Sequence, residues 1–203
     1  MPIWRDLGVI EVNENDKSTV YLLCDSSSLD DFIALAEREN WSFGQQHDGD
    51  GKVMGFSQVR IALDGETEIH YVDEPALGMR FLVTRGPSSG NVSEALARDL
   101  EIRTSINVVR HARKAQTDER KRTSAFELAV IFLEFDPRAL EIMQAYYEEG
   151  SEPVRRRVIS ALTYRGWSEG VAMLEYIAQV DTSLELRQLA NEMAEMWKKR
   201  AHS

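Results

Sequence analysis

The side chains that most often carry chemistry are thinly spread through this chain of 203 residues. His47, His70, His111 and His202 are scattered, and none shares a recognisable spacing with Cys24 or with a carboxylate. A catalytic nucleophile needs a base within hydrogen-bond reach and a third group to orient that base; no such trio is legible. Cys24 ends a run of β-formers beginning at Thr19, where a thiol is expected to be an inert core group. His47-Asp48-Gly49-Asp50-Gly51 carries two acidic positions of a calcium loop but lacks the third ligand and the distal glutamate, so it reads as a hairpin turn. Asp30 with Asp31, and Asp73 with Glu74, are accounted for by a helix first turn and a loop. No glycine-rich phosphate cradle and no Cys/His cluster with metal-ligand spacing occurs. The expectation is a protein without catalytic residues, cofactor or metal.

The chemistry that the side chains do offer is recognition of anions and of protein surfaces. Arg110, Arg113 and Lys114, followed by Arg120, Lys121 and Arg122, make a candidate anion or nucleic-acid patch. Asp118 and Glu119 interrupt it, and no aromatic residues interleave with it to stack on bases. A second group, Arg155-Arg156-Arg157, occupies three successive helical positions that fan across roughly 200°, so the three cannot all face inward. Arg155 and Arg187 are expected to hold adjacent turns together through carboxylates or helix carbonyls, and Arg156 and Arg157 to meet a partner. Tyr146, Tyr147, Tyr164 and Trp167 fall near the ends of helical segments; Tyr164 and Trp167 join Arg156 and Arg157 as candidate partner-binding residues.

Charge bounds the partners. With 24 basic and 34 acidic residues the net charge is −10, which opposes binding to nucleic acid and to anionic membranes. Residues 1–90 hold 7 basic and 16 acidic residues, whereas residues 91–203 hold 17 and 18, so nearly all the excess lies in the first half. The 43% apolar content supports a real core, and the apolar stretches are broken by charges well short of the roughly 20 residues that cross a bilayer. The opening Met-Pro-Ile-Trp-Arg-Asp lacks a basic-then-apolar leader, and a single cysteine forms no internal disulfide; a cytoplasmic protein is expected.

The elements that must position these residues change character along the chain. Thr19 to Cys24, Val53 to Leu63, Thr67 to Val72 and Met79 to Thr84 are β-prone runs separated by turn signals such as Asp64-Gly65 and Glu74-Pro75. Between the first two, Leu29, Phe32, Ile33 and Ala36 recur at helical spacing behind a Ser28/Asp31 capping box, predicting a helix to about Asn40. Gly86-Pro87-Ser88-Ser89-Gly90-Asn91 is a breaker cluster where the composition shifts, placing a boundary there. The expected fold is therefore α+β: residues 1–90 an acidic antiparallel sheet with one helix, residues 91–203 an all-helical domain. In the second domain Ser124 with Glu127 opens an apolar run, Asp136-Pro137 starts a helix, and Gly150 and Gly166 end two more. Residues 91–123 suit helix, although Ile106-Asn107-Val108-Val109 would also suit a strand.

The second domain repeats. Arg155, Val158, Ala161 and Leu162 superpose on Arg187, Ala190, Met193 and Ala194 at a shift of 32, and on Arg122, Ala125, Leu128 and Ala129 at a shift of 33 in the other direction. Glu152-Pro153-Val154-Arg155-Arg156-Arg157-Val158-Ile159-Ser160-Ala161-Leu162 resembles the second helix of a HEAT-like repeat, with an acidic turn, then Val-Arg, then small and leucine positions. Leu186 to Ala194 resembles a degenerate second copy, and the resemblance covers about residues 119–200. It implies a scaffold of stacked helical hairpins that binds along one face. The expected function is that of a non-enzymatic, intracellular protein-binding adaptor. A specific form is an immunity or antitoxin-type inhibitor that covers a basic toxin by charge complementarity. Two alternatives stand beside it: a HEAT-like nucleic-acid protein or enzyme using residues 110–122, and a subunit of a larger assembly, including a homo-oligomer.

Overall fold

A computed structural model describes residues 18–49 and 55–201 and divides the chain between Thr104 and Ser105 into two compact units. The fold is α+β, an antiparallel six-stranded sheet followed by a run of helices.

In the first unit β1 (Thr19–Leu23), β2 (Ser42–His47), β3 (Phe56–Ile61), β4 (Glu68–Glu74), β5 (Met79–Arg85) and β6 (Ile102–Arg103) pair in the order β2-β3-β4-β5-β1-β6. Helix α1 (Leu29–Arg38) starts at the predicted capping box: the Asp31 N–H donates to Ser28 Oγ at 3.2 Å, and the Ser28 N–H to Asp31 Oδ2 at 2.8 Å. Its apolar stripe, Phe32, Leu35 and Ala36, packs on Tyr21, Ile69, Tyr71 and Leu82 of the sheet. Phe32 lies 5.5 Å from the Tyr71 ring in a stacked arrangement. Strand β2 went unread in the sequence because Ser42-Phe43-Gly44-Gln45-Gln46-His47 has no apolar alternation; as an exposed edge strand it buries no face that would demand one. Asp50 and Gly51 of the expected hairpin turn lie outside the described residues, as does His202. The flanking strands do pair as a hairpin, with His47 opposite Ser57.

The expected boundary at residue 90 is corrected. Helix α2 (Ser89–Asp99) contributes Val92, Ala95 and Leu96 to the same core as α1, and β6 beyond it pairs with β1 through Leu22–Arg103 and Leu23–Ile102. The sheet is thus completed by residues of the second half, and the first unit is covered by two helices where one was expected. Gly86 belongs to a tight turn and not to a linker: its φ is +124°, and a Cβ there would lie 2.7 Å from Thr67 Cα. The division moves to Thr104, and the charge division sharpens with it. Residues 1–104 hold 9 basic and 19 acidic residues, the whole −10, and residues 105–203 hold 15 of each.

The second unit consists of α3 (Ser105–Arg113), α4 (Asp118–Ile131), α5 (Pro137–Glu149), α6 (Glu152–Arg165), α7 (Ser168–Val180) and α8 (Leu184–Ala201). Ile106 to Val109 are helical, which decides the one segment that suited either state. Asp136 caps α5 as predicted, accepting the Arg138 N–H at 2.8 Å ahead of Pro137. Ser124 is no helix start: α4 begins at Thr117, whose hydroxyl accepts the Arg120 N–H, and Ser124 and Glu127 are buried in its interior. Helix α6 packs between α4 and α8, and α3, α5 and α7 precede them in turn, giving three successive hairpins. Two of the aligned sets are buried throughout, Ala125 with Val158 and Ala190, and Ala129 with Leu162 and Ala194, whereas in the set Leu128, Ala161 and Met193 the last is half-buried.

Polar side chains tie the hairpins together. Arg155 Nε donates to Asp181 Oδ2 at 2.9 Å and its Nη2 to Oδ1 at 3.3 Å, while the Ser183 N–H donates to Oδ1 at 2.7 Å. Burial pushes the Asp181 carboxyl up, but the bonds from Ser183, Arg155 and Tyr147 outweigh it and hold the group below the usual carboxylate range. A carboxyl depressed in the folded state contributes stability that is complete above its unfolded pKa and is lost as pH falls through the folded value. Asp181→Asn should therefore destabilise the protein at neutral pH, and its deficit against wild type should shrink below about pH 4. Urea melts at pH 7 and pH 3 check this; a deficit independent of pH would mean that the charge at Asp181 contributes nothing. Arg165, which the sequence reading passed over, donates Nε to Ala129 O at 2.9 Å and Nη2 to Val130 O at 3.4 Å, satisfying carbonyls at the end of α4.

Candidate functional site

The second unit carries a groove of about 700 Å³ between the first two turns of α4 and the N-terminal part of α6, up to Ser160. Its lining follows from helical spacing. Glu119, Arg122 and Thr123 are one turn apart on α4, and Pro153, Arg156, Arg157 and Ser160 recur at intervals of three and four on α6, with Glu152 beside them. The groove exists because the first turns of α4 remain polar and exposed while its residues 124–131 are wholly buried.

Three arginines reach this groove, and they differ in what they hold. Arg156 Nη2 is paired with Glu185 Oε1 at 2.9 Å and Glu152 Oε1 at 3.5 Å, and two fifths of its side chain is exposed. Arg157 is half-buried, with its guanidinium carbon 3.9 Å from the centroid of the Phe126 ring, a cation–π arrangement; Phe126 in turn meets Tyr164 edge-on at 6.0 Å. Burial and the neighbouring Arg122 charge lower the Arg157 pKa from its usual value. Neither Arg122 nor Arg157 has a hydrogen-bond or ion-pair partner among the described residues. The hydroxyls of the lining are occupied: Thr123 donates to Glu119 O at 3.2 Å and Ser160 to Arg156 O at 3.1 Å.

Of the predicted partner-binding residues, Arg156 and Arg157 line the groove, whereas Tyr164 does not and packs edge-on to Phe126. Trp167 is corrected: it is 6% exposed and packs edge-on to Phe135 at 5.9 Å, so its ring serves the stack. Tyr146 and Tyr147 are likewise buried, and the Tyr146 hydroxyl donates to Ala112 O at the end of α3. The basic cluster does not form one strip. Successive helical residues diverge by about 100°, which sends Lys121 toward Glu149 at 3.3 Å and over the Tyr146 ring, while Arg122 enters the groove. Arg113 lies 3.6 Å from Glu141, and Arg110, Lys114 and Arg120 are exposed. Arg122 alone of the six joins the groove.

The first unit offers less. His70 is buried on β4 with Nε2 2.9 Å from Glu68 Oε2, and burial lowers its pKa. Cys24 is half-buried just beyond β1, less enclosed than expected, and desolvation raises its thiol. Among the described residues, no three His, Cys, Asp or Glu side chains come together as a metal site, and no helix is long and apolar enough to cross a membrane. No family model, no curated protein and no solved structure matches the chain.

Proposed function

We propose that this is a non-enzymatic protein-binding adaptor of the cell interior whose HEAT-like helical unit receives a partner protein along the α4/α6 groove. One observation carries the reading: Arg122 and Arg157 line a groove of about 700 Å³ with no pairing group among the described residues. Arginine is a usual energetic anchor of interfaces, and a guanidinium left unpaired within a half-buried site is poised for an external acceptor. The test is affinity capture with the full chain and with Arg122→Glu, an exposed position whose change should leave the fold intact. A partner retained by wild type and reduced at least tenfold by Arg122→Glu supports the reading. A partner retained equally by both removes the groove from it.

The concentration of the whole net charge in residues 1–104 supports a second reading, in which a basic protein docks on the first unit, as an immunity-type inhibitor would require. Capture that survives Arg122→Glu but is lost above about 300 mM salt would favour it.

A further inference from the structure

We infer that the α4/α6 groove is a receptor for an acidic peptide segment, with Arg122 and Arg157 as the fork that receives its Asp or Glu carboxylates. The inference rests on the proposed protein-binding role and names the chemistry of the partner at that site. Helix α6 supplies the contrast. Arg155 is spent on Asp181, Arg156 on Glu152 and Glu185, and Arg165 on the carbonyls of Ala129 and Val130. Arg157 is the exception, stacked on Phe126 with its N–H donors unspent among the described residues. The Phe126 contact restrains the guanidinium and leaves its N–H donors for a planar, two-oxygen acceptor, so less side-chain freedom is lost on binding. Two like charges held near each other on facing helices raise the energy of the empty groove, and a carboxylate between them relieves that repulsion.

The lining also selects among anions. Glu119 and Glu152 stand in the same groove as the three arginines, leaving a local balance of one positive charge. A uniform polyanion would bring phosphates against both carboxylates, and the groove has no free aromatic face for bases, since Phe126 is covered by Arg157. A peptide can place carboxylates on Arg122 and Arg157 and leave neutral or basic residues beside Glu119 and Glu152.

The experiment is fluorescence anisotropy with the full chain and three labelled probes: a peptide of about 12 residues rich in Asp and Glu, its Asn/Gln counterpart, and a single-stranded oligonucleotide of similar length. The acidic peptide should bind in the micromolar range at about 50 mM salt, at least tenfold tighter than the neutral peptide and the oligonucleotide, and weaken steeply by about 300 mM. Arg122→Glu and Arg157→Gln should each weaken it at least tenfold, whereas Arg113→Ala should change it less than twofold. Arg157→Lys, which keeps the charge and loses the fork, should fall between. Circular dichroism of each variant verifies the fold, and Arg122→Glu keeps the test valid if Arg157→Gln unfolds. Equal binding of the neutral peptide, tighter binding of the oligonucleotide, or no acidic-peptide binding at millimolar protein overturns the inference. If those outcomes accompany an Arg122-dependent protein partner in the capture experiment, the adaptor reading stands and the acidic segment alone is wrong.

Discussion

Leu162→Ala is expected to lower the unfolding free energy by about 2–5 kcal/mol, the cost of lost transfer energy plus a cavity that collapses incompletely. Leu162 is 1% exposed on α6, the helix flanked by α4 and α8, and its repeat equivalents Ala129 and Ala194 are small. The Leu162 side chain reaches Gly170 of α7, where a Cβ would lie 3.4 Å from Leu162 Cδ2, and a glycine has no side chain with which to refill the space. The paired control is Arg156→Ala. That substitution loses two exposed ion pairs, at 2.9 and 3.5 Å, and should cost less than about 1 kcal/mol because such pairs are solvated and screened. Denaturant melts followed by helix circular dichroism separate the two. Equal losses would mean that the inner and outer faces of α6 are misassigned, and with them the face that opens into the groove.

How far the sequence carried this architecture depends on which force sets each element. Where burial has a period, it was readable: the stripe Leu29, Phe32, Ile33, Ala36 and the capping pair Ser28/Asp31 locate α1, and Asp136-Pro137 locates the start of α5. Of the four sets aligned by the 32- and 33-residue shifts, two are buried in all three hairpins, Val158 with Ala190 and Ala125, and Leu162 with Ala194 and Ala129. Where pairing supplies the structure instead, the sequence was silent. β2 is held by β3 with no buried face, and β6 is a two-residue strand recruited by β1. The boundary error at residue 90 has the same root. A glycine and proline cluster marks a sharp turn equally well inside a domain and between domains, and the apolar stripe of α2 does not say which core it enters.

The candidate site was half legible. Arg156 and Arg157 were identified because three consecutive arginines cannot share one helix face, and the three do diverge, Arg155 turning inward to Asp181 while Arg156 stays two-fifths exposed. The cluster from Arg110 to Arg122 failed as a unit because linear proximity on a helix scatters charges around the axis, and neighbours such as Glu141 and Glu149 come from another helix. Trp167 failed because an aromatic residue at a hairpin end fits a core and an interface equally; which one it joins is decided by Phe135, over thirty residues away.

Gly166 should be among the least replaceable residues of the second unit. It ends α6 in the left-handed region, with φ +69°, and its N–H donates to Leu162 O at 2.9 Å. That conformation alone costs an L-residue about 1–2 kcal/mol. The larger obstacle is steric, since a Cβ would lie 2.3 Å from the Cη2 and Cζ2 atoms of Trp197. Trp197 cannot readily withdraw, because it is 8% exposed and its Nε1 donates to Thr163 O at 2.9 Å. Overpacking of this kind adds roughly 1–3 kcal/mol, so Gly166→Ala is expected to cost about 2–5 kcal/mol in total. Gly166→Asn separates the two contributions. Asparagine tolerates the left-handed region better than alanine but carries the same Cβ, so a loss comparable to that of alanine identifies the Trp197 ring as the cause. If Gly166→Asn melts within about 0.5 kcal/mol of wild type, a size typical of neutral surface changes, the ring yields and the helix cap alone explains the glycine.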